Sequence, residues 1–236
     1  RASDAPRIWR LMDGGYSMIG DVAPFDALDA LLQDDPRLML YVDDAHAVSW
    51  HGEHGKGMAL EKWPDHPQVI VALSLNKGFA CAGGVLALTS TDQADAIRAF
   101  GPAMTFSGPI QPPMLGAIIA SAKLHLGPDL PLRQRRLRER IAQFNAGAHR
   151  LGLDLACDAF TPMRYIRIGD LQAAGMAASA LQAAGIFVAT VAPPAVAMRD
   201  VGLRMTITAH HSAADVDYLL DTLAAVTATA LRSAAE

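Results

Sequence analysis

Apolar positions in the first half of the chain form two kinds of pattern. Continuous apolar runs are typical of strands buried on both faces of a sheet, whereas apolar residues with three- and four-residue spacing are typical of helices. The runs predict strands at 8–12, 38–42, 69–73 and 85–89. The helical spacing predicts helices at 24–32, 91–100 and 112–126.

Two of these helices carry more detailed expectations. The helix at 24–32 places its large apolar side chains on one face, and these are Phe25, Leu28, Leu31 and Leu32. The helix at 91–100 begins beside polar residues, of which Thr91 or Asp92 is the predicted cap. The segment between Ser49 and Gly57 is rich in glycine, and we expect it to be irregular.

The composition changes at Gly127–Pro131, and we place a domain boundary there. Residues 1–127 are predicted to form part of a larger domain, and residues 128–236 a smaller one. In the second part the same patterns predict helices at 132–151, 171–184 and 213–230, and strands at 163–168, 186–191 and 203–208. Strands that alternate with helices predict an α/β fold whose main sheet is largely parallel.

Bulk properties restrict the classes of function. The chain has 236 residues, of which 51% are hydrophobic, and a formal net charge of -4. A slightly acidic chain without a membrane-length apolar run argues against a nucleic-acid or membrane partner. Its two cysteines, Cys81 and Cys157, suit a reducing compartment, so we expect a cytoplasmic protein.

Three reactive side chains follow the predicted strands of the larger domain. Asp43 ends the apolar run at 38–42, His46 lies three residues further on, and Lys77 follows the run at 69–73. An amine, a carboxylate and an imidazole at strand ends are what a pyridoxal phosphate site requires. The amine bonds to the aldehyde, and the carboxylate keeps the ring nitrogen protonated. The apolar residues before Lys77 also lead us to expect a partly buried amine.

Two other clusters are given structural interpretations. His51, Glu53 and His54 lie in the glycine-rich loop without a helical scaffold, so we predict no metal site there. The second cluster is a basic run that could contact nucleic acid or a coenzyme A phosphate, but a solvated helix face is the favoured interpretation. Its members are Arg133, Arg135, Arg136, Arg138 and Arg140.

Four motifs, in order along the chain, resemble those of the α-oxoamine synthases, which are fold-type I pyridoxal phosphate enzymes. Residues 13–24 (DGGYSMIGDVAP) are similar to the pattern DGVFSMDGDxAP, and residues 42–57 are similar to VDDAHxxGxxGxxGRG. The segment around Lys77 is similar to the lysine motif of the family, and residues 202–210 (GLRMTITAH) are similar to LRxxxTAxH. The resemblance implies a large sheet domain and a smaller C-terminal α/β domain. Family members are longer, so we expect the N-terminal part of the family fold to be absent.

The resemblance implies roles for the three reactive residues. Lys77 would form the Schiff base with the cofactor. Asp43 would pair with the ring nitrogen, in preference to its neighbour Asp44. His46 would lie beside the phenolic oxygen of the ring and assist proton movement, so Lys77 and His46 are the predicted catalytic residues.

Further roles are implied for four other residues. Ser17 and Ser74 match hydroxyl positions that contact the cofactor. Ser107 matches a phosphate contact made across a dimer interface, although the next position is Gly108, where the family often has threonine. Arg204 would hold the carboxylate of an amino-acid substrate through two parallel hydrogen bonds.

The implied activity is condensation of a small amino acid with an acyl thioester, usually with decarboxylation, to give an α-aminoketone. The acyl carrier, coenzyme A or a carrier protein, stays open, and a homodimer is expected. Two alternatives also stay open. One is a non-catalytic partner subunit of such an enzyme, and the other is an aminotransferase of the same fold.

Overall fold

The computed structural model describes residues 4–235, which divide into two compact units. The first contains the described residues up to Gly15 and the range Val22–Pro131, and the second contains Tyr16–Asp21 and the range that begins at Leu132. The predicted assignment of 1–127 and 128–236 to two functional domains stays a prediction. Residues 1–3 and 236, at the outer ends of the two predicted domains, lie outside the described residues.

The first unit is built on a four-stranded sheet. Its strands are β1 (Ile8–Asp13), β2 (Leu38–Asp43), β3 (Val69–Ser74) and β4 (Gly84–Ala87), in that spatial order. Strands β1, β2 and β3 are parallel, and β4 runs antiparallel to β3. The helices of this unit are α1 (Phe25–Asp34), α2 (Met58–Lys62), α3 (Thr91–Phe100), α4 (Pro102–Thr105) and α5 (Pro112–His125). The predicted α/β fold with a mainly parallel sheet is confirmed.

The core of this unit lies between the sheet and helix α1. Leu40, Val42 and Val71 of the sheet pack in one cluster with Leu28 and Leu32 of the helix. The predicted apolar face of this helix is wrong at one position, because Leu31 is 52% exposed. Leu31 lies on the flank of the stripe centred on Leu28 and Leu32, where the helix turns away from the sheet.

The N-terminus of helix α3 differs from the prediction by one residue. Ser90 has an extended backbone, and its Oγ accepts a hydrogen bond from the backbone N–H of Gln93 at 3.3 Å. A capping residue needs this non-helical conformation to turn its side chain back toward the helix. Thr91 and Asp92 are already helical, so neither is the cap.

The second unit contains a three-stranded antiparallel sheet and long helices. Helix α6 (Asp129–Arg150) begins just before the division between the units. The remaining elements are β5 (Met163–Arg167), α7 (Leu171–Ala183), β6 (Ala189–Val191), β7 (Gly202–Thr206) and α8 (Ala213–Ala235). Strand β7 lies between β5 and β6. Among residues 4–235, no helix combines the length and apolar character needed to cross a membrane.

A fully buried arginine organises one end of the second unit. Arg164 donates hydrogen bonds to Asn145 Oδ1 at 2.7 Å, to Thr161 Oγ1 at 2.8 Å and to the backbone carbonyls of three residues that precede it, Cys157, Ala159 and Met163. Burial lowers the pKa of its guanidinium from its ordinary value. Thr161 in turn donates to the carbonyl of Gly20 at 2.8 Å. These bonds explain why Tyr16–Asp21 belongs to the second unit.

Candidate active site

The carboxyl ends of the parallel strands of the first unit lie at one edge of the sheet. In the strand register Asp13 lies beside Asp43, and Asp43 lies beside Ala72. Backbone hydrogen bonds continue just past the strands, from Gly14 N–H to the Asp43 carbonyl and from Asp44 N–H to the Ala72 carbonyl, both at 2.8 Å. The turns that follow β2 and β3 therefore start side by side, where open α/β sheets commonly bind ligands.

Asp43 is exposed at the end of β2. Its Oδ1 accepts a hydrogen bond from the backbone N–H of Ala45 at 3.0 Å, which holds the carboxylate over the start of the next turn. A carboxylate of this kind is accessible to a ligand and is restrained in direction by a local turn.

Asp44 is fully buried and has a different environment. Its Oδ2 accepts a hydrogen bond from the backbone N–H of Ala59 at 2.9 Å, at the start of helix α2, and its Oδ1 has no hydrogen-bond partner. Burial raises the pKa of Asp44 to about 6, against the lowering effect of the backbone N–H groups of Ala59 and Met58. A Cβ on Gly14 or Gly57 would lie 2.1 or 2.3 Å from its carboxylate oxygens. Asp44 therefore connects the turn after β2 to the start of α2 through a buried hydrogen bond.

His46 is half-buried in the turn formed by residues 45–50. Its backbone carbonyl accepts a hydrogen bond from the Trp50 indole N–H at 2.6 Å, which closes the turn around the histidine. Ser49, near the end of the turn, has a φ of 80°, which is uncommon for a residue with a side chain.

Lys77 lies in a compact turn between β3 and β4. The turn is closed by hydrogen bonds from Leu75 N–H to the Gly83 carbonyl, from Cys81 N–H to the Leu75 carbonyl and from Ala80 N–H to the Lys77 carbonyl. Contrary to the expectation of partial burial, Lys77 is exposed. The apolar residues before it belong to β3, and the chain has already left the core when it reaches the lysine.

The turn that carries Lys77 lies directly against the turn that carries His46. A Cβ on Gly78 would lie 2.9 Å from the carbonyl oxygen of Val48 and 3.0 Å from the Cβ of Ser49, so only glycine permits this approach. The amine, the carboxylate and the imidazole thus come from two adjoining turns at one sheet edge. Such a donor set fits a flat aldehyde with a basic ring nitrogen, and pyridoxal phosphate is a ligand of that kind.

The two other predicted residues of the first unit differ in their settings. Ser74 is the last residue of β3, is half-buried and donates a hydrogen bond to Asn76 Oδ1, so it lies at the same sheet edge. Ser107 is exposed in the irregular segment between α4 and α5, beside Phe106, which is 97% exposed. Its predicted phosphate contact across a dimer interface stays a prediction.

Ser17 and Arg204 are brought together within the second unit. The Nε of Arg204 donates to the backbone carbonyl of Ser17 at 2.7 Å. Arg204 is half-buried on β7, the central strand of its sheet, between Tyr165 and Ala189. Because Nε is used to orient the guanidinium, the two terminal nitrogens are the pair suited to a substrate carboxylate.

The structure adds a group of residues that the sequence analysis did not select. His125, the last residue of helix α5, contacts Ser49 and Phe79, and Ser121 of the same helix contacts Phe79 as well. One signal was available in the sequence: Ser49 occupies a glycine position of the pattern VDDAHxxGxxGxxGRG. Among residues 4–235, no cluster of three or more metal-ligating side chains is suited to a metal ion.

Comparison with known proteins gives two independent similarities. Residues 5–223 match the family described as aminotransferase class I and II. The 8-amino-7-oxononanoate synthase of Cellvibrio japonicus is 34% identical over 238 residues, which cover 100% of this chain and 58% of that protein. The enzyme of the same name from Marinomonas sp. is 33% identical, over 95% of this chain and 55% of that protein.

Solved structures show the same fold. Serine palmitoyltransferase from S. paucimobilis with bound PLP–myriocin aldimine superposes with a TM-score of 0.87 at 22% identity, over 98% of this chain and 57% of that one. The 8-amino-7-oxononanoate synthase of Francisella tularensis gives a TM-score of 0.80 at 21% identity, over 94% and 63% of the two chains. The chain therefore spans little more than half the length of the relatives that it matches.

Proposed function

Because the chain belongs to the aminotransferase class I and II family, we propose that it supplies the lysine-bearing part of a pyridoxal phosphate-dependent acyltransferase. The reaction is condensation of a small amino acid with an acyl thioester, with loss of carbon dioxide, as in the α-oxoamine synthases. The observation that carries this proposal is the packing of the Lys77 turn against the turn that follows Asp43 and contains His46, at one sheet edge.

The cofactor, when bound, supplies an electron-withdrawing ring that makes the Cα–H bond of an attached amino acid easier to break. The Lys77 amine would hold the cofactor through its aldehyde. Asp43, accessible at the end of β2, would accept a hydrogen bond from the ring N–H and so keep that nitrogen protonated. The Lys77 amine would move the proton at Cα of the substrate, and His46 would donate a hydrogen bond to the ring oxygen of the cofactor.

Arg204 holds the carboxylate of the amino acid in this proposal. Its Nε is bound to the Ser17 carbonyl, so the guanidinium plane has a fixed direction. A bidentate contact from the terminal nitrogens would fix the orientation of the carboxylate that they bind.

The acyl group is proposed from the relatives. In 8-amino-7-oxononanoate the amino-bearing carbon adjoins the ketone, which is the product expected when alanine loses its carboxylate on joining a dicarboxylic acyl thioester. We therefore place alanine and an acyl thioester with a distal carboxylate first among the substrates. The stretch Ser49-Trp50-His51 adds bulk to the GxxG segment of the family pattern, and Trp50 is half-buried in the 45–50 turn.

We also propose a homodimer in the cytoplasm. The support for a dimer is a series of large apolar side chains exposed between α3 and the end of α5 within the described part of the chain. They are Phe100, Met104, Phe106, Ile110, Leu115, Ile119 and Leu124. The support for a reducing compartment is that Cys81 and Cys157 are both free thiols.

The test is absorption spectroscopy on the full-length protein with pyridoxal phosphate. We expect a visible band that is absent in Lys77→Ala, whereas Lys123→Ala, an exposed lysine on α5, retains it. Glycine, alanine and serine are then added singly, each with and without an acyl thioester. The expected result is thiol release and carbon dioxide formation with one amino acid, at rates at least about a thousandfold lower in Lys77→Ala.

Other results would change the assignment. Amino-group exchange with an oxoacid and no thiol release would identify an aminotransferase. A folded protein that shows no visible band with the cofactor would leave the non-catalytic partner subunit as the function.

A further inference from the structure

His125 connects the two turns that carry the proposed catalytic groups. It lies at the end of helix α5, outside every motif that pointed to the active site. Its Nε2 is 2.9 Å from Ser49 Oγ, at the end of the His46 turn. Its ring stacks on Phe79, two residues after Lys77, with ring centroids 4.5 Å apart and an interplanar angle of 26°.

The hydrogen bonds determine how the imidazole is protonated in its neutral form. Nδ1 lies 2.8 Å from the carbonyl oxygen of Ser121, which can only accept, so Nδ1 carries the proton. Nε2 then accepts, and the Ser49 hydroxyl donates to it. The Ser121 hydroxyl donates to the Phe79 carbonyl at 2.7 Å, so helix α5 is bonded to the Lys77 turn a second time.

Ser49 needs this contact because of its backbone. A φ of 80° favours glycine, and glycine is the residue that the family pattern has at this position. Close packing surrounds the site: a Cβ on Gly55 would lie 2.7 Å from Ser49 Cα and 2.9 Å from His125 Cδ2. The bond from Ser49 to His125 compensates for the unfavourable φ and gives the turn an anchor that a glycine would lack.

We propose that His125 is a positioning residue, which holds the Lys77 turn against the His46 turn through Phe79 and Ser49. Loss of the imidazole removes one contact of α5 with each turn at once, and the hydrogen bond from Ser121 to the Phe79 carbonyl remains. The consequence for catalysis rests on the proposed function, because it is the amine of Lys77 that must meet the cofactor. The effect on the two turns themselves does not depend on it.

Two measurements on the full-length protein test this proposal. Hydrogen–deuterium exchange without cofactor reports the backbone N–H groups of the 45–50 and 75–83 turns. Titration with pyridoxal phosphate gives its dissociation constant. The variants are His125→Ala, His125→Gln, which keeps an acceptor for Ser49, and Ser49→Ala. Lys123→Ala, on an exposed position of the same helix, is the control.

We expect His125→Ala to speed exchange in both turns and to weaken cofactor binding, each by about three- to tenfold, the value of one neutral hydrogen bond. Ser49→Ala should act mainly on the 45–50 turn, and His125→Gln should recover part of the loss. Lys123→Ala should match the wild type. Melting temperature identifies any variant that does not fold. If His125→Ala does not fold, exchange in Ser49→Ala and Phe79→Leu tests whether the contacts of His125 hold the two turns.

The proposal is overturned if exchange in both turns of folded His125→Ala equals that of Lys123→Ala. It is also overturned if exchange accelerates equally throughout the first unit, since that result means general destabilisation. A wild-type protein that binds no pyridoxal phosphate contradicts the proposed function instead, and the exchange comparison still decides whether His125 positions the turns.

Discussion

At the scale of single residues, Asp43 and Asp44 show how one peptide step separates two chemical roles. Successive side chains at the end of a strand point to opposite faces, so Asp43 is exposed and Asp44 is fully buried. The exposed carboxylate is available to a ligand. The buried one caps α2 and occupies space that Gly14 and Gly57 leave open.

Asp44 makes the stability of the fold depend on pH. Its pKa of about 6 in the folded protein lies above the ordinary value of 3.8, because burial penalises the charged form. The folded state therefore binds the proton more tightly, and the stabilisation present below about pH 4 is lost as pH rises through 6. In Asp44→Asn this loss should be absent, a difference of about 2 to 3 kcal/mol in the free energy of unfolding at neutral pH.

Urea unfolding of wild type and Asp44→Asn at several pH values between 4 and 8 measures this difference. Asp43→Asn, which changes the exposed neighbour, is the matched control and should retain most of the wild-type slope with pH, because the charge of Asp43 contributes least to the raised pKa of Asp44. If the free energies of unfolding of wild type and Asp44→Asn change with pH in parallel, burial does not raise the pKa of Asp44.

At the scale of elements, a leucine side chain of α8 packs onto α6 at a position where α6 has a glycine. A Cβ on Gly147 would lie 2.3 Å from Leu220 Cδ1, and Leu220 is only 1% exposed, so the leucine has little room to move. Helix α7 also contains a glycine, Gly175, but no atom lies within 4 Å of the position that its Cβ would take. The same residue type thus serves packing in one helix and has no steric role in the other.

This contrast predicts opposite effects of one substitution. Gly147→Ala should destabilise the protein by about 1 to 2 kcal/mol, because overpacking outweighs the gain in helix propensity. Gly175→Ala should stabilise it by about 0.5 to 1 kcal/mol, since only the propensity changes. Chemical denaturation of the two variants beside wild type gives both values, and equal shifts in one direction would contradict the packing described.

At the scale of the whole molecule, α5 has apolar side chains that the described part of the chain leaves exposed. Ile119 is 57% exposed near the middle of this helix. The proposed homodimer would cover such a surface, because contiguous exposed apolar side chains commonly mark an interaction site.

A charged substitution separates this interpretation from a solvent-facing helix. Ile119→Asp should convert the full-length protein from dimer to monomer in light scattering coupled to size-exclusion chromatography, because a buried unpaired carboxylate is costly. Phe187→Asp is the control, since Phe187 is 85% exposed in the second unit and is not part of the proposed surface. A folded Ile119→Asp protein that remains dimeric would exclude this face from the interface.

Much of the fold follows from local patterns in the sequence. The runs at 38–42 and 69–73 became β2 and β3, and the helices at 91–100 and 112–126 were placed within one residue of their observed ends. Alternation between buried runs and helical spacing is a local property, so it can be recognised without the tertiary structure. The motifs around Asp43, His46 and Lys77 likewise identified the family, which the similar proteins confirm.

Other features depended on contacts between distant residues. The antiparallel direction of β4, the exposure of Lys77 and the burial of Asp44 follow from how the strands pair and where the chain leaves the core. The bond from Ser49 to His125 joins residues 76 positions apart, and the bond from Ser17 to Arg204 joins residues 187 positions apart. Sequence determined which groups are present and which elements carry them. Only tertiary structure decided which groups meet, because packing and hydrogen bonding act between residues that local patterns do not relate.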